Sequence, residues 1–99
     1  MEIKIQAVKF TATEKLEAYI NKKLQKLSKL NDDIVFADVF LKVTKPESAE
    51  NKEVEIKIQT KSGDFYASKT SNTFEESTDM VIDALEKQLE KHKEKLRNK

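Results

Sequence analysis

Apolar and polar residues alternate at the start of the chain, as they do in a strand that has one buried face. The alternation covers residues 2–10 and places Ile3, Ile5 and Ala7 on the same face. The next apolar residue, Val8, falls in the opposite phase. We therefore expect a first strand over this range, with a bulge near Ala7 that absorbs the change of phase.

Helical spacing replaces the alternation over residues 13–30. Apolar side chains recur there every three or four positions, at Leu16, Ile20, Leu24, Leu27 and Leu30. Thr11 or Thr13 can cap the first turn, which carries Glu14. The Asn-Asp-Asp triplet at residues 31–33 favours a turn. The pattern predicts an amphipathic helix that ends before this triplet.

Three more alternating segments follow, and polar segments separate them. The predicted strands cover residues 34–44, 52–61 and 65–70. The first has a mixed second face and an apolar face that holds Val35, Ala37, Val39, Leu41 and Val43. In the second, Val54, Ile56 and Ile58 face inward. Residues 45–51 contain the only proline of the chain and are predicted to form a loop. The Ser62-Gly63-Asp64 triplet supplies a hairpin turn.

The last segment returns to helical spacing. Thr73 can cap it, and its apolar side holds Phe74, Thr78, Val81, Leu85, Leu89, His92 and Leu96. The element order is therefore β-α-β-β-β-α, in which short turns between the last three strands favour antiparallel pairing. Both helices must bury their apolar sides on one face of the sheet. We predict a single α+β domain over residues 1–99, a two-layer sandwich of a four-stranded sheet and two helices.

Composition excludes several kinds of chemistry. The 99 residues include one glycine, one histidine and no cysteine, so a glycine-rich phosphate loop, a histidine-pair metal motif and a thiolate nucleophile are absent. No secretory leader and no run of about 18 uncharged apolar residues occurs in the sequence. We therefore expect a cytoplasmic protein that is not an enzyme and that uses no cofactor, metal, membrane or small-molecule substrate.

The residues most similar to catalytic or stacking groups have simpler explanations. His92 lies on the apolar side of the last helix, where packing is the commoner role, and RNA contact is the alternative. Asp79 and Asp83 are four residues apart, but an acid-base or hard-metal site needs further ligands and a cleft. Core packing is favoured over base stacking for all the phenylalanines, Phe10, Phe36, Phe40, Phe65 and Phe74.

The lysines depart from an evenly mixed surface, although 19 basic and 18 acidic residues leave a net charge of only +1. On the first helix a sector of about 60° holds Lys15, Lys22, Lys26 and Lys29, beside Lys23. The last helix has one line of Lys87, Lys91 and Lys95 and a separate line of Glu86, Glu90 and Glu94. Like charges four residues apart repel by a few tenths of a kcal/mol. This segregation indicates an anionic partner such as RNA, and a chance arrangement of good helix formers is the alternative.

The last helix also carries a more specific signal. Residues 73–95 resemble the signature helix of the ribosome hibernation-promoting factors, whose pattern includes Ile-Asp, Asp-Lys-Leu, a basic residue before Gln-Leu, and Lys-His-Lys. The matching residues are Asp79, Asp83, Leu85, Lys87, Gln88, Leu89, Lys91, His92 and Lys93. The first helix, with Thr13-Glu14 at its start and Lys23-Leu24-Gln25-Lys26-Leu27 further along, is similar to the first helix of that family.

The resemblance implies a factor that binds the small ribosomal subunit and its ribosomal RNA in the decoding region. There two parallel helices present basic residues to the RNA, block messenger and transfer RNA, and silence translation under stress or in stationary phase. The implied phosphate contacts are first Lys23, Lys26, Lys87 and Lys91, and then Lys22, Lys29, Lys93 and Lys95. We expect the free protein to be a monomer, because the core requires all of its apolar stripes.

Two parts of the last helix depart from the family pattern. The family's Asp-Met-Tyr is Thr73-Phe74-Glu75 here, and Ala84 replaces the lysine before Leu85. Contacts of that tyrosine and lysine are not carried over to Glu75 and Ala84. The chain ends without the second domain of the long members, so it is more similar to the short promoting type. The alternatives are a free-standing double-stranded RNA-binding domain and a protein-interaction module that uses the exposed sheet face.

Overall fold

The computed structural model describes residues 1–45 and 47–97, which form four strands and two helices. In chain order they are β1 (Glu2–Ala7), α1 (Glu14–Leu30), β2 (Ile34–Val43), β3 (Lys52–Thr60), β4 (Gly63–Ser71) and α2 (Phe74–Arg97). The strands form one sheet in the order β1-β2-β3-β4. β1 pairs with β2 in parallel, and the other two pairs are antiparallel. The predicted element order and antiparallel run are confirmed.

Both helices pack on the same face of the sheet, as the predicted α+β sandwich requires. The buried apolar residues are Leu16, Ile20, Leu24 and Leu27 of α1, Ile34, Ala37, Val39 and Leu41 of β2, Val54, Ile56 and Ile58 of β3, Ala67 of β4, and Val81, Leu85 and Leu89 of α2. Full burial of one such large side chain contributes about 1.5–3 kcal/mol. The face of the sheet that the helices do not cover is called the open face below.

Threonine hydroxyls fix where both helices begin. The Thr13 Oγ1 atom accepts a hydrogen bond from the Leu16 backbone N–H at 3.1 Å, and Thr73 Oγ1 accepts one from the Glu76 N–H at 3.0 Å. These bonds satisfy N–H groups that have no partner within the helix. Thr13 is therefore the cap of α1, and Thr73 caps α2 as predicted.

β1 is shorter than predicted. Its pairing with β2 continues without interruption over Glu2–Ala7. The Val8 backbone N–H still donates to the Leu41 carbonyl oxygen at 2.9 Å, and the chain then leaves the sheet. Lys9 has a φ of 65°, a left-handed conformation that turns the backbone. The turn brings Phe10 onto Phe74, and the two ring centroids lie 5.3 Å apart. The predicted first strand is therefore confirmed over Glu2–Ala7, whereas its extension to residue 10 and its bulge are wrong, because a turn after the strand causes the change of phase.

An irregularity at the start of β2 changes which of its residues are buried. The register with β3 shifts between Ile34 and Phe36, so that Ile34 is buried while Val35 is 52% exposed. Val43 is the last residue of the strand and is 43% exposed. The predicted apolar face is therefore buried only at Ala37, Val39 and Leu41, because the register shift moves Val35 off it and Val43 lies at the end of the strand.

The phenylalanines divide between the two faces of the sheet. Three of them pack against the core as predicted, namely Phe10, Phe65 and Phe74. Phe36 and Phe40 occupy the opposite phase of β2 from its buried residues, so they lie half-buried on the open face. The prediction of core packing is wrong for these two residues. Both phases of β2 contain apolar residues, so the pattern alone does not show which phase the helices cover.

The hairpin between β3 and β4 is tighter than predicted. Thr60 pairs with Gly63, so the loop consists of Lys61 and Ser62. Two-residue loops match the twist of antiparallel strands, and the glycine after the loop begins β4. The predicted Ser62-Gly63-Asp64 turn therefore begins one residue too late and extends into the strand.

Candidate nucleic-acid interface

The two helices lie side by side and run in the same direction. Tyr19 of α1 contacts Asp79 near the start of α2, and Leu30 at the end of α1 contacts Lys93 near the end of α2. The groove between the helices is lined by Lys23, Lys26, Leu27 and Leu30 of α1 and by Asp79, Ile82, Asp83 and Glu86 of α2. One wall of this groove is therefore basic and the other is acidic.

Asp79 joins the two walls. The Tyr19 hydroxyl donates to its two carboxylate oxygens, at 2.8 Å and 2.9 Å. The Lys23 Nζ atom lies 3.4 Å from the same carboxylate and 5.4 Å from the centre of the Tyr19 ring. The hydrogen bond to Asp79 is the main cause that raises the pKa of Tyr19, and desolvation and the nearby negative charge add to it. This cluster holds Lys23 against the groove.

Three further lysines of α1 form an exposed row beside Lys23. We call Lys22, Lys26 and Lys29 the α1 strip, and all three side chains are exposed. Tyr19 borders the strip together with Gln25. Among the described residues, none of the three forms an ion pair. Their ammonium groups are therefore available to replace the counterions of a phosphate backbone.

The lysines of α2 form a second exposed strip. We call Lys87, Lys91 and Lys95 the α2 strip. At about 100° per residue, Lys91 and Lys95 lie on the flank of α2 that is turned away from α1. Lys87 Nζ lies 3.3 Å from Asp83, and the two side chains are 72% and 67% exposed. An ion pair so exposed contributes at most about 1 kcal/mol, so a phosphate can displace the carboxylate.

The eight lysines predicted as phosphate contacts therefore do not form one continuous patch. The structure brings Lys23 and Lys26 together at the groove, with Lys22 and Lys29 beside them on α1. Across the groove, the α2 strip lies beyond the carboxylates of the acidic wall. The result is two basic strips with an acidic strip between them.

Lys93 differs from the other predicted contacts. Its Nζ atom donates a hydrogen bond to the Leu30 carbonyl oxygen at 2.5 Å. Carbonyl groups in the last turn of a helix lack partners within that helix and lie at the negative end of its dipole. Lys93 thus caps the C-terminal end of α1 and ties it to α2. The sequence pattern gave no sign of this contact.

Lys69 of β4 is not among the phosphate contacts predicted from the sequence, but it lies beside the α2 strip. It pairs with Val54 in the sheet register, so it lies on the side of the sheet that the helices cover. Near the sheet edge it is exposed and lines a recess with Met80 and Lys87. The alternation of β4 places Lys69 in phase with buried Ala67, but only the position of α2 brings it beside Lys87.

His92 makes contacts that match a packing role. Its ring lies 5.2 Å from the Phe65 ring in an edge arrangement, and its Nε2 atom lies 2.9 Å from the Ser62 hydroxyl. That hydroxyl also donates to Asp33 at 3.3 Å. His92 therefore joins the end of α2 to the β3–β4 turn and to the start of β2.

Asp79 and Asp83 have different partners and do not form a paired acid-base or metal site. Asp79 binds Tyr19 and Lys23, whereas Asp83 pairs with Lys87. Within residues 1–45 and 47–97 no group of three or more potential metal ligands comes together. None of the described helices is long and apolar enough to cross a membrane.

Comparison with known proteins identifies the family. A family model for sigma 54 modulation protein / S30EA ribosomal protein matches residues 3–97. A ribosomal subunit interface protein from Coxiella burnetii has a similar structure, with a TM-score of 0.83 and 20% identity over 94% of this chain and 98% of that chain. The N-terminal domain of Thermus thermophilus Protein Y has a TM-score of 0.75 and 21% identity over 92% of this chain and 94% of that chain.

These matches confirm the resemblance that the two helices indicated. The family groups modulation and ribosome-associated proteins and is not a family of enzymes. The two solved structures share the fold along nearly the whole of their length. Because the family model extends over residues 3–97, this chain belongs to the sigma 54 modulation protein / S30EA ribosomal protein family.

Proposed function

We propose that this chain is a ribosome hibernation factor that binds the small ribosomal subunit in the decoding region. It acts by occupancy, because its bound helices block messenger and transfer RNA and so silence translation under stress or in stationary phase. Residues 1–99 form a single ribosome-binding domain, which works in the cytoplasm, is monomeric when free and uses no cofactor.

One observation carries this proposal: this chain belongs to the family and presents two exposed lysine strips on its helix layer. The similar protein from Coxiella burnetii is a ribosomal subunit interface protein, which agrees with a location on the ribosome. Double-stranded RNA is recognised mainly by its shape and its phosphates, and lysines on rigid helices suit that mode of binding.

The lysines have distinct places in the proposed complex. Lys23, Lys26, Lys87 and Lys91 make the first phosphate contacts, and Lys22, Lys29, Lys93 and Lys95 add to them. Lys93 can cap α1 and still reach a phosphate, because an ammonium group has three N–H donors. Each neutralised phosphate releases counterions, so the affinity of the complex falls steeply as salt rises.

The test is a chemical footprint of ribosomal RNA on isolated small subunits, with and without the protein. We expect protection in the decoding region that disappears at high salt, together with comigration of the protein and small subunits in a sucrose gradient. A free-standing double-stranded RNA binder would bind unrelated hairpins as tightly as subunits. A protein-interaction module would leave the RNA footprint unchanged. Either result would contradict the proposal.

A further inference from the structure

Three carboxylates lie where a continuous RNA-binding surface would carry cations. Asp79, Asp83 and Glu86 line the groove between the α1 strip and the α2 strip. The side chain of Asp79 is 49% exposed and that of Asp83 is 67% exposed. Carboxylates that are partly exposed in this way produce a negative potential in the groove, which repels a phosphate that enters it.

The same carboxylates hold two of the four preferred lysines. Lys23 Nζ lies 3.4 Å from Asp79, and Lys87 Nζ lies 3.3 Å from Asp83. A phosphate must compete with a carboxylate for each of these ammonium groups. Exposed ion pairs are weak, so a phosphate that approaches one strip from outside can win this competition. A backbone that crosses the groove must displace both pairs and also pass Glu86.

We propose that Asp79, Asp83 and Glu86 form a selectivity element, an inference that rests on the proposed ribosomal function. The element keeps a single phosphate backbone from crossing the groove and confines RNA to the lysines on either side of it. Folded RNA that presents two strands can contact both strips from outside the groove. A flexible single strand contacts one strip at a time. The carboxylates therefore weaken binding to single-stranded RNA more than binding to structured RNA.

The arrangement is not explained by surface solubility alone. A surface that needs only solubility is served by interleaved opposite charges, which attract at helical spacing. Here the carboxylates of α2 are concentrated on the side that faces α1, opposite Lys23 and Lys26. The α2 strip lies outside them. Placement of the negative charge between two basic strips is the feature that a selectivity element requires.

The test is a triple variant, Asp79→Asn with Asp83→Asn and Glu86→Gln, which removes three charges and keeps the side-chain shapes. Its binding is compared with that of the unaltered protein for a uridine oligomer and for an RNA hairpin with the same number of phosphates. We expect affinity for the oligomer to rise about tenfold, as loss of several weak repulsions predicts. Affinity for the hairpin should rise much less, so the preference for structured RNA shrinks.

A matched control changes the net charge equally on the open face. Glu2→Gln with Glu53→Gln and Asp64→Asn removes three charges far from the groove, and we expect the preference for structured RNA to stay unchanged. Equal effects of the two triple variants, or an unchanged preference in the groove variant, would overturn the selectivity element. Comigration with small subunits is measured separately on the unaltered protein. If the unaltered protein does not comigrate with small subunits, the proposed ribosomal function is wrong. The ratio of hairpin affinity to oligomer affinity tests only the role of the groove carboxylates.

Discussion

The open face of the sheet and the surface of the helix layer contain the same kinds of charged residues in different arrangements. On the open face opposite charges are neighbours: Asp38 lies between Lys4 and Lys57 in the sheet register, and Lys42 donates to Glu55 at 3.0 Å. On the helix layer the lysines stand together in strips. Interleaved charges cancel locally, whereas segregated charges leave a field that attracts a polyanion.

The comparison shows that arrangement carries more information here than net charge does. With a net charge of +1, the whole chain is nearly neutral. Screening limits the reach of exposed charges to about 8–10 Å at physiological salt, so a phosphate responds to the lysines near it and not to the total. A nearly neutral protein can therefore bind RNA on one face, and the predictions below test that face against the other.

The largest effect is expected when the charge of two of the three lysines in the α2 strip is reversed. Lys87→Glu with Lys91→Glu should nearly abolish cosedimentation with purified small subunits, because each lost phosphate contact removes a charge interaction and each glutamate adds repulsion. The slope of log affinity against log salt should flatten by about 0.9 for each lost contact with duplex RNA. The free energy of unfolding, measured by a thermal melt, should change by less than about 1 kcal/mol, since both side chains are exposed.

The matched control for this variant lies on the open face. Lys4→Glu with Lys57→Glu changes the net charge by the same amount and should leave most of the binding intact. Glu90→Lys with Glu94→Lys, on the acidic line of α2, is a second control that should not weaken binding. Normal melting with unchanged salt tolerance in the Lys87 and Lys91 variant would show that the α2 strip is not the site.

The second prediction compares the two sides of a single strand. Ile56 on the inner side of β3 is fully buried, and Lys57 beside it faces the open side. Ile56→Ala should lower the free energy of unfolding by about 2–5 kcal/mol, because it removes buried methyl groups and leaves a cavity. Lys57→Ala should change it by less than about 0.5 kcal/mol. Denaturant unfolding measures both, and comparable losses would mean that the inner and outer sides of β3 are assigned wrongly.

The sequence predicts an element well where only one side of that element is apolar. β3 has Val54, Ile56 and Ile58 on one side and charged residues on the other, and the predicted inner side is the observed one. α1 and α2 each have one apolar side as well, and the threonine before each helix marks where it begins. β2 has apolar residues in both phases, so Phe36 and Phe40 were assigned to the wrong face. The turn at Lys9 was missed because no glycine or proline marks it.

The candidate site was predicted one helix at a time. Helical spacing places the lysines on each helix correctly, but it does not show how the two helices are rotated about their axes. That rotation is set by packing, which turns Asp79 and Glu86 toward α1 and Lys91 away from it. The bond between Tyr19 and Asp79 joins residues that are 60 positions apart, and no local pattern contains it. The division into two strips is therefore visible only in the structure.

A smaller effect is expected at Lys93, the predicted contact that caps α1. Lys93→Met keeps an apolar stem and removes the donor to the Leu30 carbonyl oxygen. Loss of a cation at a helix C-terminus costs about 0.3–1 kcal/mol, so the melting temperature should fall by a few degrees. Lys95→Met is the control and should leave the melt unchanged. A normal melt with a loss of ribosome binding would show that Lys93 serves RNA and not the cap.

The smallest effect concerns the two tyrosines, one on each face of the molecule. Tyr19 belongs to the groove, and Tyr66 is exposed on the open face. The bond to Asp79 stabilises the neutral phenol, so the pKa of Tyr19 lies above its ordinary value of 10.0. A raised pKa in the folded state means that the bond stabilises the fold fully below pH 10.0 and that this stabilisation is lost as the pH rises through the pKa of Tyr19.

Ultraviolet titration of a Tyr66→Phe variant observes Tyr19 alone, because the chain has only two tyrosines and no tryptophan. We expect the phenol to ionise at a higher pH than free tyrosine does. Adding Asp79→Ala should bring its pKa back toward the ordinary value, since the main cause of the shift and the nearby charge are both removed. Glu55→Ala on the open face is the matched control and should leave this titration unchanged. If Tyr19 ionises at the same pH with and without the Asp79 carboxylate, the bond that joins the two walls of the groove does not persist in solution, and Lys23 is not held there.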